Sequence, residues 1–321
     1  MIECAVIIAI GNSAHTTQIT RTRAMLPALG KPLVVRMMDR LYRIGIRKYV
    51  VIVGESEGEV AAYLSRHWVP NVSIEFVFKL ANVSLLRTLA DFARKYKEPF
   101  LITSYNCFTH GQFASTIVNK YQQGNTGELV IGGALTTLSR TNKPRYALTE
   151  GQKVTGIVRE VPAGKQTYTL AEIAVCGQTF VNYLCGATIQ TGAFDKNLID
   201  IFQMYIQTGG STSLVETAWT LPIETDYDLL TLNRHLLEEE QDAHILSELH
   251  WTVQITPPVR IDPQVSVGQG AKIGPHVYLE RGCSVGYDAI VKNAMVLSNA
   301  TIPPNEKIAD TIVSSRGRIT R

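Results

Sequence analysis

Residues 253–286 read VQITPPVRIDPQVSVGQGAKIGPHVYLERGCSVG, and their spacing decides how the end of the chain is built. Aliphatic residues recur at every sixth position: Ile255, Ile261, Val267, Ile273, Leu279, Val285, Val291 and Leu297. Two places before each stands another apolar or small residue: Val253, Val259, Val265, Ala271, Val277, Cys283, Ala289 and Met295. Glycine follows at Gly268, Gly274 and Gly286. A period of six is neither that of a helix, about 3.6, nor that of a simple strand, about 2. It predicts a β-solenoid in which each hexad makes one flat face and turns its aliphatic residue inward. At three faces per turn the eight aliphatics mark roughly two and a half coils, with the register ending at Pro303-Pro304. So few coils bury little by themselves. The solenoid is therefore expected to pack on the first domain, on another subunit, or on both.

Upstream, the pattern changes to strands alternating with helices. CAVIIAI (4–10) is a continuous apolar run, as a strand covered on both faces would be. PLVVRMMDRLYRIGI has helical spacing, KYVVIVG is a second buried strand, and GEVAAYLSRHW a second helix. VSIEFVF, SLLRTLADFARKYK and PFLITS continue the alternation. Such a chain folds as a sheet with helices on both faces, and ligands sit beyond the carboxyl ends of its strands. From about residue 128 the chain is strand-rich, with Glu150-Gly151 marking a hairpin. NLIDIFQMYIQTGG is a helix stopped by Gly209 and Gly210, and the acidic stretch from Thr225 to His250 reads as mostly helical. These readings divide the chain at 1–235, a helical linker at 236–250, and the solenoid at 251–321.

The 321 residues suffice for two domains, and 45% hydrophobic with 18% charged content is that of a soluble globular protein. No apolar run reaches the roughly 18 residues that span a bilayer. The start lacks a basic region and a cleavage site, so a secretion signal is not expected. Five scattered cysteines suit neither a disulfide framework nor a zinc site, and point to the reducing cytoplasm. A net charge of +3 is too mild for a nucleic-acid partner.

The order AVIIAIG, MLPALGKPLVVRMMDRLYRIGIRKYVVIVG, ANVSLL, PFLITSYN, IVREVP, TLPIETDYDLLTLNRHLL and then the hexads resembles the sugar-1-phosphate nucleotidyltransferases, notably GDP-mannose and ADP-glucose types. The resemblance covers nearly the whole chain. It implies a Rossmann-like mixed sheet followed by a short left-handed parallel β-helix of hexapeptide repeats. It further implies Mg²⁺-dependent joining of a nucleoside triphosphate to a sugar 1-phosphate, with release of pyrophosphate.

Several positions depart from the family's pattern. Its G-x-G-x-R loop and later lysine correspond to Gly11, Asn12, Ser13, Ala14 and His15, then Arg23. The resemblance makes Gly11, Asn12, Ser13, Ala81 and Asn82 the nucleotide-binding positions, and His15 and Arg23 the degenerate catalytic ones. Ser13 puts a Cβ where backbone N–H groups would close on a triphosphate. His15 is shorter than arginine and mostly neutral near neutral pH. Asn106 stands for a metal-binding aspartate, and Glu224 is a loosely aligned second ligand; an amide brings no charge to Mg²⁺. Tyr146, Glu160 and Glu172 fall at sugar-phosphate positions, with Val161 replacing a lysine.

Losses at chemically distinct positions, beside regular packing positions, point to a catalytically weak or inactive protein. It would bind a nucleotide or sugar phosphate and regulate or scaffold nucleotide-sugar synthesis, as a homo-oligomer or with a catalytic homologous subunit. Mg²⁺ is its cofactor if it is active, and otherwise none is required. The alternative is an active transferase using Arg23, Glu224 and other groups. A hexapeptide acyltransferase would need a longer solenoid, and His276, the one histidine of the repeat, reads better as a surface or packing residue. Arg21, beside Arg23 in the loop, is a further candidate to hold an anion.

Overall fold

The structure, a computed structural model, describes residues 2–11, 19, 21–67, 71–124, 127–138, 144–161, 166–187, 197–239 and 243–320. Along the chain, β1 (Cys4–Ala9), β2 (Pro27–Ala28), β3 (Lys31–Pro32) and α1 (Leu33–Arg43) come first. They are followed by β4 (Lys48–Gly54), α2 (Gly58–His67), β5 (Ser73–Lys79), α3 (Leu85–Tyr96) and β6 (Phe100–Ser104). Next are β7 (Cys107–Thr109), α4 (Phe113–Gly124), β8 (Leu129–Ala134), β9 (Tyr146–Glu150) and β10 (Lys153–Val158). β11 (Thr167–Cys176), α5 (Gln178–Gly186), α6 (Leu198–Gln207), β12 (Thr212–Thr217), β13 (Thr220–Pro222) and α7 (Asp226–Glu238) complete this part. The coil holds β14 (Gln254–Ile255), β15 (Val259–Ile261), β16 (Ser266–Val267), β17 (Lys272–Ile273) and β18 (Val277–Leu279). It ends with β19 (Ser284–Val285), β20 (Ile290–Val296), β21 (Thr301–Ile302), β22 (Lys307–Ser314) and β23 (Gly317–Thr320).

Two compact units emerge: residues 1–12 with 34–222, and residues 13–33 with 223–321. The first is built on a nine-stranded sheet ordered β5-β4-β1-β6-β11-β8-β12-β10-β9. β5, β4, β1 and β6 run parallel, while β11 is antiparallel to both β6 and β8. The sheet is therefore mixed, as the resemblance implied. Both faces of its parallel part are covered because alternate side chains point opposite ways. Val6, Ile8, Val50, Ile52, Phe100 and Ile102 pack with Leu89 and Phe92 of α3. On the other face, the Tyr49 hydroxyl donates to the Met38 carbonyl of α1 at 3.2 Å. The α3 helix begins at Ser84, whose side chain accepts the Arg87 N–H, and ends at Lys97 in a left-handed conformation. The hairpin read at Glu150-Gly151 joins β9 to β10, with Gly151 at φ +62°.

In the second unit the coil strands pair in parallel. Val259 faces Val277, Ser266 faces Ser284 and Lys272 faces Ile290, so one turn takes 18 residues here. The six-residue spacing holds as far as Val291 and then slips. Val277 faces Ala294 and Leu279 faces Val296, a step of 17. The inward residues are thus Ala294 and Val296, followed by Ala300, Ile302 and Ile308, rather than Met295 and Leu297. Pro303-Pro304 does not end the coil, since Ile290 faces Lys307 and Val296 faces Val313 on the next strand. Parallel strands of this kind are compatible with a β-helix.

The α7 helix packs on β20 and β22. It opens with a capping box in which Thr225 and Asp228 each bond the other's backbone N–H. Helix ends at Glu238; residues 243–250 are not helical, and Ile245 instead bridges to Ile261. The β2–β3 turn, with Leu29 and Gly30 at positive φ, is fixed to α7 by the Leu29 N–H donating to Asn233 Oδ1 at 3.1 Å. Among the described residues no helix is long and apolar enough to cross a membrane.

Candidate functional site

The sheet order sets the carboxyl ends of β4, β1 and β6 side by side, with β11 running back beside β6. Val53 faces Ala9, and Ile8 faces Ser104. The strands therefore deliver Gly54, Gly11 and Asn106 to one edge, and β11 brings Glu172 to it from the opposite direction. The β6 end is tied to β1 by the Tyr105 N–H, which donates to the Ile8 carbonyl at 3.1 Å.

At the β6–β11 end, the pairing of β11 with β8 shifts between Ala171 and Ala174. That irregularity lets Glu172 turn towards β6, where the Ser104 hydroxyl donates to Glu172 Oε2 in a short hydrogen bond. The Glu172 N–H meets Cys107 Sγ at 3.2 Å. Glu172 is thus placed beside the strand end carrying Asn106. Its expected sugar-phosphate position becomes a carboxylate held by a neighbouring serine.

At the β1–β4 end, Gly11 is the described remnant of the expected phosphate loop; Asn12, Ser13, Ala14 and His15 lie outside the described residues. The Gly11 N–H donates to Glu57 Oε1 at 3.0 Å. Glu57 is buried in the turn between β4 and α2, and it also accepts from the Ser56 hydroxyl at 2.8 Å. Lys79, at the end of β5 opposite Gly54, is buried as well. Ala81 and Asn82 lie in the exposed turn before α3, and the Ala81 N–H donates to Glu55 Oε1 at 3.0 Å. Tyr146 opens β9 opposite Val158 and Thr169, so exposed Glu160 follows two residues after its partner.

Arg23 and Glu224 belong to the second unit. Arg23 donates through Nη2 to the Glu224 carbonyl, while its Nε is buried without a hydrogen-bond partner among the described residues. Glu224 thus supplies its backbone carbonyl to Arg23, and its N–H donates to Asp228 Oδ2 at 3.1 Å. Arg21, a further candidate to hold an anion, is engaged by a carboxylate of the chain itself. It donates to Glu280 Oε1 at 2.8 Å, to Glu280 Oε2 at 3.1 Å and to Ser298 Oγ at 2.7 Å. His276, read as a packing residue, lies 3.3 Å from Glu238 Oε1.

Among the described residues, the donors expected for Mg²⁺ are few. Mg²⁺ takes one or two carboxylates with substrate phosphates, whereas Asn106 offers a neutral amide and Glu172 is hydrogen-bonded to Ser104. Among the described residues no three acidic, histidine or cysteine side chains are grouped to hold a metal ion. Glu55 and Glu57 escaped the sequence reading. The available signal was a pair of acidic residues directly after Gly54, at the strand end where anions were expected.

Comparison with known proteins bears on both parts of the chain. Residues 255–321 match the family described as the GMPPB C-terminal domain. Bifunctional protein GlmU from two strains of Thermus thermophilus is 23% identical over 304 residues, which cover 88% of this chain. The chain spans 65% of the length of those relatives. A chain from Bacillus anthracis described as a glucose-1-phosphate thymidylyltransferase superposes with a TM-score of 0.60 at 15% identity, covering 71% of this chain and 93% of its own. The inositol-1-phosphate CTP transferase of T. maritima gives 0.57 at 12%, covering 73% and 96%. The first unit thus has the nucleotidyltransferase-like mixed-sheet fold. Together with the C-terminal match, this makes the chain similar in fold to solved sugar-1-phosphate nucleotidyltransferases and similar in sequence to GlmU, in keeping with the resemblance read from the sequence.

Proposed function

We propose that this protein binds a nucleotide or a sugar phosphate at the carboxyl ends of β4, β1 and β6, with weak or no nucleotidyl transfer, and regulates or scaffolds nucleotide-sugar synthesis. One observation carries this reading: the β6 end presents Asn106, and Glu172, the carboxylate that β11 brings to this end, already accepts the Ser104 hydroxyl. Nucleotidyl transfer needs positive charge fixed on the phosphates as pyrophosphate leaves, and a divalent ion held by carboxylates is the usual source. In this reading the coil is a left-handed β-helix of hexapeptide repeats, residues 1–235 and 251–321 act as domains joined through 236–250, and the coil mediates assembly. Mg²⁺ would be needed only for turnover.

The test is pyrophosphate release by the full-length protein with Mg²⁺, across a panel of nucleoside triphosphates and sugar 1-phosphates. Release at background, with melting-point shifts for at least one nucleotide or sugar phosphate, is the expected result. Robust turnover with any pair would overturn it. Glu172 itself favours the other reading, an active Mg²⁺-dependent transferase, because it is an acidic group at the right strand end. The same assay decides between them.

A further inference from the structure

We propose that Glu57 is a built-in competitor for phosphate, and that its carboxylate closes the corner between the carboxyl ends of β1 and β4 to polyphosphate ligands. The proposal rests on the reading above only in taking the carboxyl ends of the sheet as the ligand site.

Three observations converge on this carboxylate. First, it occupies a backbone donor that a phosphate would use, since the Gly11 N–H is bonded to Glu57 Oε1 at 3.0 Å. Second, it fills the recess left by two glycines at adjacent strand ends. A Cβ on Gly11 would run into Glu57 Oε1, and a Cβ on Gly54 into Oε2. Glycines at such ends let an anion approach the backbone closely, and here the anion belongs to the chain itself. Third, the carboxylate is anchored in place. Glu57 is 4% exposed, its oxygen accepts from Ser56, and its N–H donates to the Gly54 carbonyl at 3.2 Å just before α2 begins. Two residues earlier, Glu55 takes the Ala81 N–H, so a second carboxylate of the same short loop caps a donor at an expected nucleotide position.

A phosphate and a carboxylate cannot share one N–H, and at such range their like charges repel. A polyphosphate enters only when Glu57 is displaced. Glu57 is therefore a specificity-determining residue.

The experiment is calorimetric binding of inorganic tripolyphosphate, nucleoside triphosphates and sugar 1-phosphates to full-length protein. Wild type is compared with Glu57→Ala, Glu57→Gln and the charge-matched control Glu59→Gln. Glu57→Ala should bind tripolyphosphate and triphosphates at least ten-fold more tightly than wild type. Glu57→Gln should fall between, because it keeps an acceptor and loses the charge. Glu59→Gln should match wild type, and sugar 1-phosphate affinity should not change with Glu57. If Glu57→Ala fails to fold, Glu57→Gln decides alone. Folded Glu57 variants that bind polyphosphate no better than wild type overturn the proposal, as does an equal gain in Glu59→Gln. Pyrophosphate release by wild type bears on the proposed function instead and leaves this affinity ratio unaltered.

Discussion

Arg21 and Glu280 stand 259 residues apart in sequence and meet in a two-pronged hydrogen bond within the second unit, with Ser298 completing the grip. The Glu280 side chain is 14% exposed and that of Arg21 31%, so water screens the pair only in part. Paired guanidinium–carboxylate bonds are stronger than neutral ones, but exposure reduces their worth. Arg21→Ala should lower stability by about 1 kcal/mol, measured by denaturant unfolding. Arg21→Lys should rescue little, because one ammonium cannot bridge both oxygens. An unchanged midpoint in Arg21→Ala would show that the pair is held by other contacts.

Asn106→Asp places a carboxylate at the β6 end. It should increase the Mg²⁺-dependent melting-point shift given by nucleoside triphosphates, with each ten-fold gain in affinity adding up to about 1.4 kcal/mol of stabilisation at saturating ligand. The comparison without Mg²⁺ isolates the metal's part. Equal shifts for variant and wild type would mean that Asn106 is not where a divalent ion binds.

Gly286→Ala should destabilise the coil by about 1–3 kcal/mol, the range for overpacking a filled interior. Its added Cβ would press on the backbone of Pro303 and Pro304 in the next turn, and backbone cannot step aside as a side chain can. Thermal unfolding reads the effect. A melting point equal to that of wild type would show that the turns can spread.

The pH dependence should carry a contribution from His235. Burial lowers its imidazole pKa from 6.5, with neighbouring Glu238 pulling the other way. The unfolded chain therefore binds this proton more readily than the folded one. The contribution to stability is present above about 6.5 and is lost as pH falls through the window below it. Melting curves from pH 7.5 to 5 should show the loss, and His235→Gln should flatten that part of the slope. An identical slope in the variant would place the effect elsewhere.

Much of the fold was legible because apolar periodicity records what is buried. KYVVIVG is β4 to the residue, and Gly209, read as a helix stop, follows directly on the Thr208 cap of α6. The slip at the end of the coil was hidden because Ala294, Met295, Val296 and Leu297 are all apolar. Either register fits such a run, and only pairing with Val277 and Leu279 chooses. At the candidate site, the sequence pointed to strand ends but not to the side chains that the structure sets beside them. Gly11 and Glu57 are 46 residues apart, and no spacing rule links a glycine after one strand to a carboxylate after another. Arg21 misled for the same reason, its partner lying far along the chain.

The last coil strand is covered along half of one flank. β23 folds back antiparallel on β22, with Ile319 opposite Ile312 and Gly317 opposite Ser314, so the chain covers that stretch with its own hairpin. That pairing occupies backbone groups of residues 311–314 within the chain, and among the described residues β23 becomes the outer strand of this sheet, the flank that an added strand would meet.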